Sequence, residues 1–130
     1  MERRGFLKML AGVLTLPFFP KGLLREGGKR KLVELGEYYI AGYRFYKGDR
    51  AGIRKGDRLS LIREPSNVHD ERAIEVYKGG IKIGYIPKRY NPVIANIMDQ
   101  GIDVIAVVEH VDASAPPWER VKIKVYQITG

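Results

Sequence analysis

Alternating apolar and polar side chains mark most of the chain after residue 32. In residues 58–63, Leu59 and Leu61 face one way and Arg58 and Ser60 the other, which predicts a half-buried strand. Val121, Ile123 and Val125 alternate with Lys122 and Lys124 and predict the last strand in the same way. Residues 73–78 and 81–86 are short β-rich segments around Gly79-Gly80. A two-residue glycine connection favours a tight hairpin, because both central residues can take positive φ. Residues 32–46, rich in Tyr, Ile, Val and Phe, predict one or two strands broken near Gly36, and residues 102–111 a long one. The intervening segments are a basic, glycine-containing loop (47–56), a turn with Pro65, Asn67 and Asp70 (64–71) and a loop with Pro116-Pro117 (113–118).

One segment has helical periodicity. Val93, Ile94, Ile97 and Met98 form an apolar stripe. Asn91 predicts the cap, Pro92 the first helical position and Gly101 the left-handed stop. About six strands and one helix in ~100 residues predict a mainly β domain with a small, curled or closed antiparallel sheet, since closure removes exposed edges.

The first thirty residues follow a different pattern. Residues 2–8 read Glu-Arg-Arg-Gly-Phe-Leu-Lys, and an apolar run follows from Met9 to Phe19. At 1.5 Å per residue so short a run cannot cross a hydrocarbon core of ~30 Å as a helix. It fits the apolar region of a signal peptide behind a positive head. Arg3-Arg4 followed by Phe-Leu-Lys resembles the twin-arginine export signal, although Glu2 stands where that signal prefers Ser or Thr and no clear small-x-small cleavage site follows. The expected organisation is a signal or membrane-tethering segment in residues 1–22, a linker in 23–31 and one domain in 32–130. The protein is then exported or membrane-associated in a prokaryotic cell envelope, with translocon or membrane contact through residues 1–22. If the signal is not functional, it is cytoplasmic and residues 1–22 form an amphipathic helix packed on the body.

That division changes the meaning of the charge. The 130 residues carry 23 Lys+Arg and 15 Asp+Glu, a net +8 that suggests nucleic acid or an anionic surface as partner. Residues 1–30 hold seven of those bases and two of those acids. The body is therefore nearly neutral but polarised. Residues 44–89 carry twelve bases and six acids, whereas residues 90–119 carry five acids and neither Lys nor Arg.

Few catalytic arrangements are open to these residues. There is no cysteine, which excludes disulfides, thiolate metal sites and a Cys nucleophile. The two histidines, His69 and His110, come with no carboxylate spacing that would complete a metal site. No serine lies in a nucleophile turn and no glycine-rich loop suits a phosphate. Neither enzyme activity, metal nor other cofactor is expected.

The segment from Leu61 to Val76, Leu-Ile-Arg-Glu-Pro-Ser-Asn-Val-His-Asp-Glu-Arg-Ala-Ile-Glu-Val, is followed by Gly84-Tyr85-Ile86-Pro87-Lys88. Together these resemble the HIRAN domain, with its Arg-Glu-Pro-x-Asn-Pro-x-Asp-x-x-Ala-Ile-x-Val stretch and later Gly-Tyr-Ile-Pro. Residues 41–46 look like that family's first strand and Gly56-Asp57-Arg58-Leu59 like its Gly-Asp-x-Leu entry. The resemblance spans residues 33–128 and implies a modified OB-like barrel, here a six-stranded antiparallel one with one or two helices.

It also implies a ligand. Eukaryotic members sit at the N-terminus of helicase-like ATPases and hold single-stranded DNA with its 3′-hydroxyl end in a pocket; no ATPase motif occurs here. Arg44 and Lys88 match basic positions that meet phosphates. Phe45 stands where an aromatic residue stacks on a base. Asn67 and Asp70 match the polar pair of the end-binding turn, with Asp70 accepting a hydrogen bond from the 3′-hydroxyl. His69 replaces a stacking Tyr, and Val68 replaces the usual Pro, which predicts a looser turn. Tyr85 matches a pocket-lining position.

Each of these residues also has a plain structural role available. Asn67 and Asp70 can tie their own turn, Phe45 and Tyr85 can fill the barrel core, and Arg44, Arg54, Lys55 and Lys88 can form a solvated face. His110 and Trp118 have no assigned role. The resemblance favours a single-stranded DNA-binding module. The export-like start favours an envelope module that binds a protein partner or an anionic polymer.

Overall fold

The structure, a computed structural model, describes residues 31–46 and 51–129. The twin-arginine-like segment and the linker up to residue 30 lie outside the described residues, as does the alternative of an N-terminal helix.

The period-two segments become six antiparallel strands in one sheet. They are β1 (Lys31–Tyr39), β2 (Arg58–Arg63), β3 (Ile74–Lys78), β4 (Ile81–Tyr85), β5 (Val104–Val111) and β6 (Val121–Thr129), in the spatial order β1-β6-β5-β2-β3-β4. β2 joins the halves of the sheet. Its first two residues pair with β5 and its last four with β3. Register shifts that leave an extra residue in β1, β4 and β5 add the local twist that a curled sheet needs. The sheet closes where Ala41, just after β1, pairs with Tyr85 at the end of β4 through two backbone hydrogen bonds of 2.8 and 2.9 Å. The result is mainly β and OB-like in form.

Alternation decides what is inside. Leu59, Leu61, Ile74, Val76, Ile83, Val121, Ile123 and Val125 point to one core, joined by Ile94 and Ala95 of the single α-helix, α1 (Asn91–Asp99). Removing each of the Leu, Ile and Val side chains from water contributes about 1.5–3 kcal/mol. Gly84 fits where the barrel closes. A Cβ there would meet the Ile40 side chain and lie 2.5 Å from the Ala41 carbonyl oxygen.

Three local expectations are corrected. Residues 41–46 are not a strand: beyond the Ala41 bridge the chain makes a 3-10 turn, Tyr43–Phe45, in which Tyr43 is buried. In the β3–β4 hairpin Gly79 takes positive φ and Gly80 does not. At the start of α1 the cap position is Tyr90, Asn91 is the first helical residue and no side chain caps the helix. The far end behaves as expected. Gly101, at φ 85°, lets its own N–H reach Met98 O and the N–H of Ile102 reach Ile97 O, the two bonds of a Schellman stop.

Candidate functional site

The turn between β2 and β3 is ordered by its own side chains. Asn67 Oδ1 accepts the backbone N–H groups of His69 (2.8 Å) and Asp70 (3.0 Å), and its Nδ2 donates to Glu64 Oε1 at 2.9 Å. Asn67 thus shapes the loop, the role that Asx geometry gives this residue type. Glu64 carries the order further. Its Oε1 also accepts from the Tyr85 hydroxyl at 2.6 Å, and Lys82 Nζ donates to that hydroxyl at 2.7 Å while lying 3.0 Å from Glu75. A continuous polar chain therefore runs from the turn to the outer face of β3 and β4.

The ionisation of this chain follows from its contacts. The amide of Asn67 and the hydroxyl of Tyr85 hold the Glu64 carboxyl below the usual range. Burial and the Glu64 hydrogen bond push the Tyr85 phenol up to about 12. Burial opposes the charge on Lys82, but its bonds to Tyr85 and Glu75 outweigh that and raise its pKa.

Asp70 points elsewhere. Its Oδ1 accepts the Arg72 N–H at 2.9 Å and its Oδ2 accepts Nδ2 of Asn91 at 2.8 Å. The Asn91 bond is the main cause of a lowered pKa, helped by the Arg72 N–H and the charges of Lys88 and Arg63. The carboxylate is thus ionised at neutral pH. Each oxygen makes one of these bonds, which leaves an acceptor site on each for a ligand.

Asn67, Asp70, Tyr85 and Lys88 are linked around this turn, through the Glu64 bonds and the charge that Lys88 places near Asp70. His69 is exposed beside Asp70, and Lys88 is exposed on the turn leading into α1. Phe45 is 71% exposed, which overturns a place in the core. Its turn packs against β4, and the next residue, Tyr46, sets its ring edge-on to Tyr85 at 5.9 Å. Tyr85 is half-buried and braces Glu64, so it supports the site from below. Arg44 lies in the same 3-10 turn as Phe45; its side chain is outside the described structure.

Three contributors were not legible as such. Glu64 lay within the motif without a role, Asn91 looked like a helix cap, and Trp118 had only its loop. Trp118 belongs to a second 3-10 turn, Pro117–Glu119, which packs against the Phe45 turn, and it is 60% exposed. Two exposed aromatic side chains thus lie on adjoining turns, and exposed aromatic faces are what stacking on bases requires. Elsewhere, Lys122 and Lys124 face Glu37, Glu34 and Glu109 across β1, β6 and β5, so that wall offers little net charge to a phosphate. Among the described residues no group of three or more His, Asp or Glu is placed to hold a metal, and no described helix is long and apolar enough to cross a membrane.

The family model described as HIRAN domain matches residues 33–128. The chain belongs to the HIRAN domain family. HIRAN domains are nucleic-acid-binding modules, so a binding role comes with membership. Two crystal structures share the fold. A protein from Lactobacillus plantarum is 25% identical, with a TM-score of 0.67 over 78% of this chain and 99% of its own. The HIRAN domain of human HLTF is 23% identical, with a TM-score of 0.65 over 78% of this chain and 81% of its own. A search of curated proteins gives no match. The Gly-Tyr-Ile-Pro motif now has a physical reason in this chain: Gly84 admits the closing segment, and Tyr85 both closes the barrel and braces the turn.

Proposed function

We propose that this HIRAN domain binds single-stranded DNA and takes a free 3′ end at the turn containing Asn67, His69 and Asp70. The observation that carries this is the Asp70 carboxylate, held by two donors with the charge of Lys88 beside it; exposed Phe45 and Trp118 lie on two turns that pack against each other. A carboxylate beside a phosphate path repels the backbone. The same group accepts a hydrogen bond from a terminal hydroxyl, and bonds to charged partners are the stronger class. Phe45, Trp118 and His69 supply stacking surfaces that tolerate any sequence, and Lys88 with Arg44 supplies the salt-dependent attraction.

The test is a fluorescence-anisotropy titration of the full chain with short single strands that end in a 3′-hydroxyl or a 3′-phosphate, at low and high salt. Tighter binding of the hydroxyl end, weakened by salt, is the expected result. Binding that ignores both the end and the salt would sink the proposal. The twin-arginine-like start supports a separate proposal, that the domain acts in the cell envelope. If Arg3-Arg4→Lys-Lys leaves a folded reporter fused to residues 1–30 where it was, that second proposal is lost.

A further inference from the structure

Asn91 is the one buried polar side chain among the described residues, 2% exposed at the first position of α1. Burying an amide is unfavourable unless it is hydrogen-bonded. Asparagine near a helix start usually caps the helix, yet this one makes no cap bond. Its Nδ2 reaches across 21 positions of sequence to Asp70 Oδ2. With the Arg72 N–H on Oδ1, the carboxylate is fixed at both oxygens and cannot turn without breaking a bond.

We propose that Asn91 is the positioning residue that makes the Asp70 turn accept hydroxyl-terminated strands and reject phosphate-terminated ones. The inference rests on 3′-end binding at this turn. A 3′-hydroxyl can donate to the remaining acceptor sites of Asp70. A terminal phosphate is a multiply charged acceptor that offers no such donor at neutral pH. Two cations, Lys88 and Arg63, place their charge on Asp70. Arg63 is already bound to Asp99 and to the Ala73 carbonyl, so of these two Lys88 is the one open to a phosphate. Discrimination therefore depends on keeping the carboxylate in place beside Lys88. Once it swings away or takes a proton, the same spot attracts a terminal phosphate.

The test compares the full chain with Asn91→Leu, which keeps most of the volume and removes the donor. The affinity ratio for 3′-hydroxyl over 3′-phosphate strands is measured alongside the titration of the Asp70 carboxyl by carbon NMR. The expected result is a ratio that falls about tenfold, the effect of losing one good hydrogen bond to a charge. It falls through gained affinity for the phosphate end, and the Asp70 pKa rises. An unchanged ratio with Asp70 titrating where it did before overturns the role of Asn91 while 3′-end binding stands. A wild-type chain that does not distinguish the ends overturns both. If Asn91→Leu loses native chemical-shift dispersion, Asn91→Ser replaces it. Its shorter side chain cannot span to Asp70 in the same geometry, and the same two outcomes decide.

Discussion

Arg63 and Asp99 form a two-point ion pair, Nε to Oδ1 at 2.8 Å and Nη2 to Oδ2 at 3.1 Å, that joins the end of β2 to the last turn of α1. With the Asn91–Asp70 bond at the other end of the helix, it clamps α1 along the turn from residue 63 to residue 73. An acid at a helix C-terminus is unfavourable to the helix dipole, and the guanidinium beside it offsets that effect. Arg63 Nη1 also donates to the Ala73 carbonyl at 2.9 Å, so the two partners are unequal. Arg63→Ala should destabilise by about 1–2 kcal/mol, and Asp99→Asn, whose side chain is half exposed, by about 0.5 kcal/mol. Urea unfolding of the two variants checks the order; equal losses would mean that the carbonyl bond contributes nothing.

Gly84→Ala tests the closure of the barrel. Its Cβ would fall 2.5 Å from Ala41 O, a backbone atom held in the closing bridge, so no side-chain rearrangement relieves the contact. The expected loss is about 3 kcal/mol, at the upper end for overpacking. A urea midpoint within error of the wild type would show that the bridge at Ala41–Tyr85 yields easily.

The parts of this fold that could be read from sequence are those where local pattern and tertiary role coincide. The strands around Leu59, Val76 and Ile123 each bury alternate residues, so period-two hydrophobicity fixed both their type and their faces. Residues 41–46 misled because Tyr43, Phe45 and Tyr46 have high β-propensity. Their 3-10 turn follows a bridge to Tyr85, forty-odd positions away, that no local pattern encodes. Asn91 misled for the opposite reason: its place beside Pro92 satisfies the cap signal, while the bond that uses its amide comes from another loop. The turn of Asn67 and Asp70 was legible as a turn, and its residues as candidate DNA contacts only through family resemblance. The exposure of Phe45 and Trp118 needed the structure.

Ionisation of the site gives the stability profile two limbs. The folded pKa values of Asp70 and Glu64 lie below their ordinary 3.8 and 4.5, so their contribution is present above that range and is lost as pH falls through the lower folded values. Tyr85 is raised from 10.0 to about 12, so the folded state keeps its proton longer than the unfolded state does. Its contribution is complete below pH 10 and is lost as pH rises toward 12. Unfolding free energies measured by urea across pH should therefore fall at both extremes. Tyr85→Phe should remove this residue's part of the alkaline loss and lower stability at neutral pH by about 1–2 kcal/mol, since Lys82 and Glu64 lose their common partner.

Stacking and charge at the proposed interface separate in a salt titration. Phe45→Ala and Trp118→Ala should each weaken single-strand binding by about 1–3 kcal/mol, because each removes one aromatic face. Neither carries charge, so the slope of log affinity against log salt should stay as it is. Lys88→Ala should lower that slope by about 0.7, the share of one phosphate contact on a single strand. A Trp118→Ala variant that binds as the wild type does would confine the stacking surface to the Phe45 side. Since the two aromatic turns adjoin, the double variant reports whether they hold one base or two. Additive losses mean separate bases, and a double loss no larger than the greater single loss means one base gripped between them.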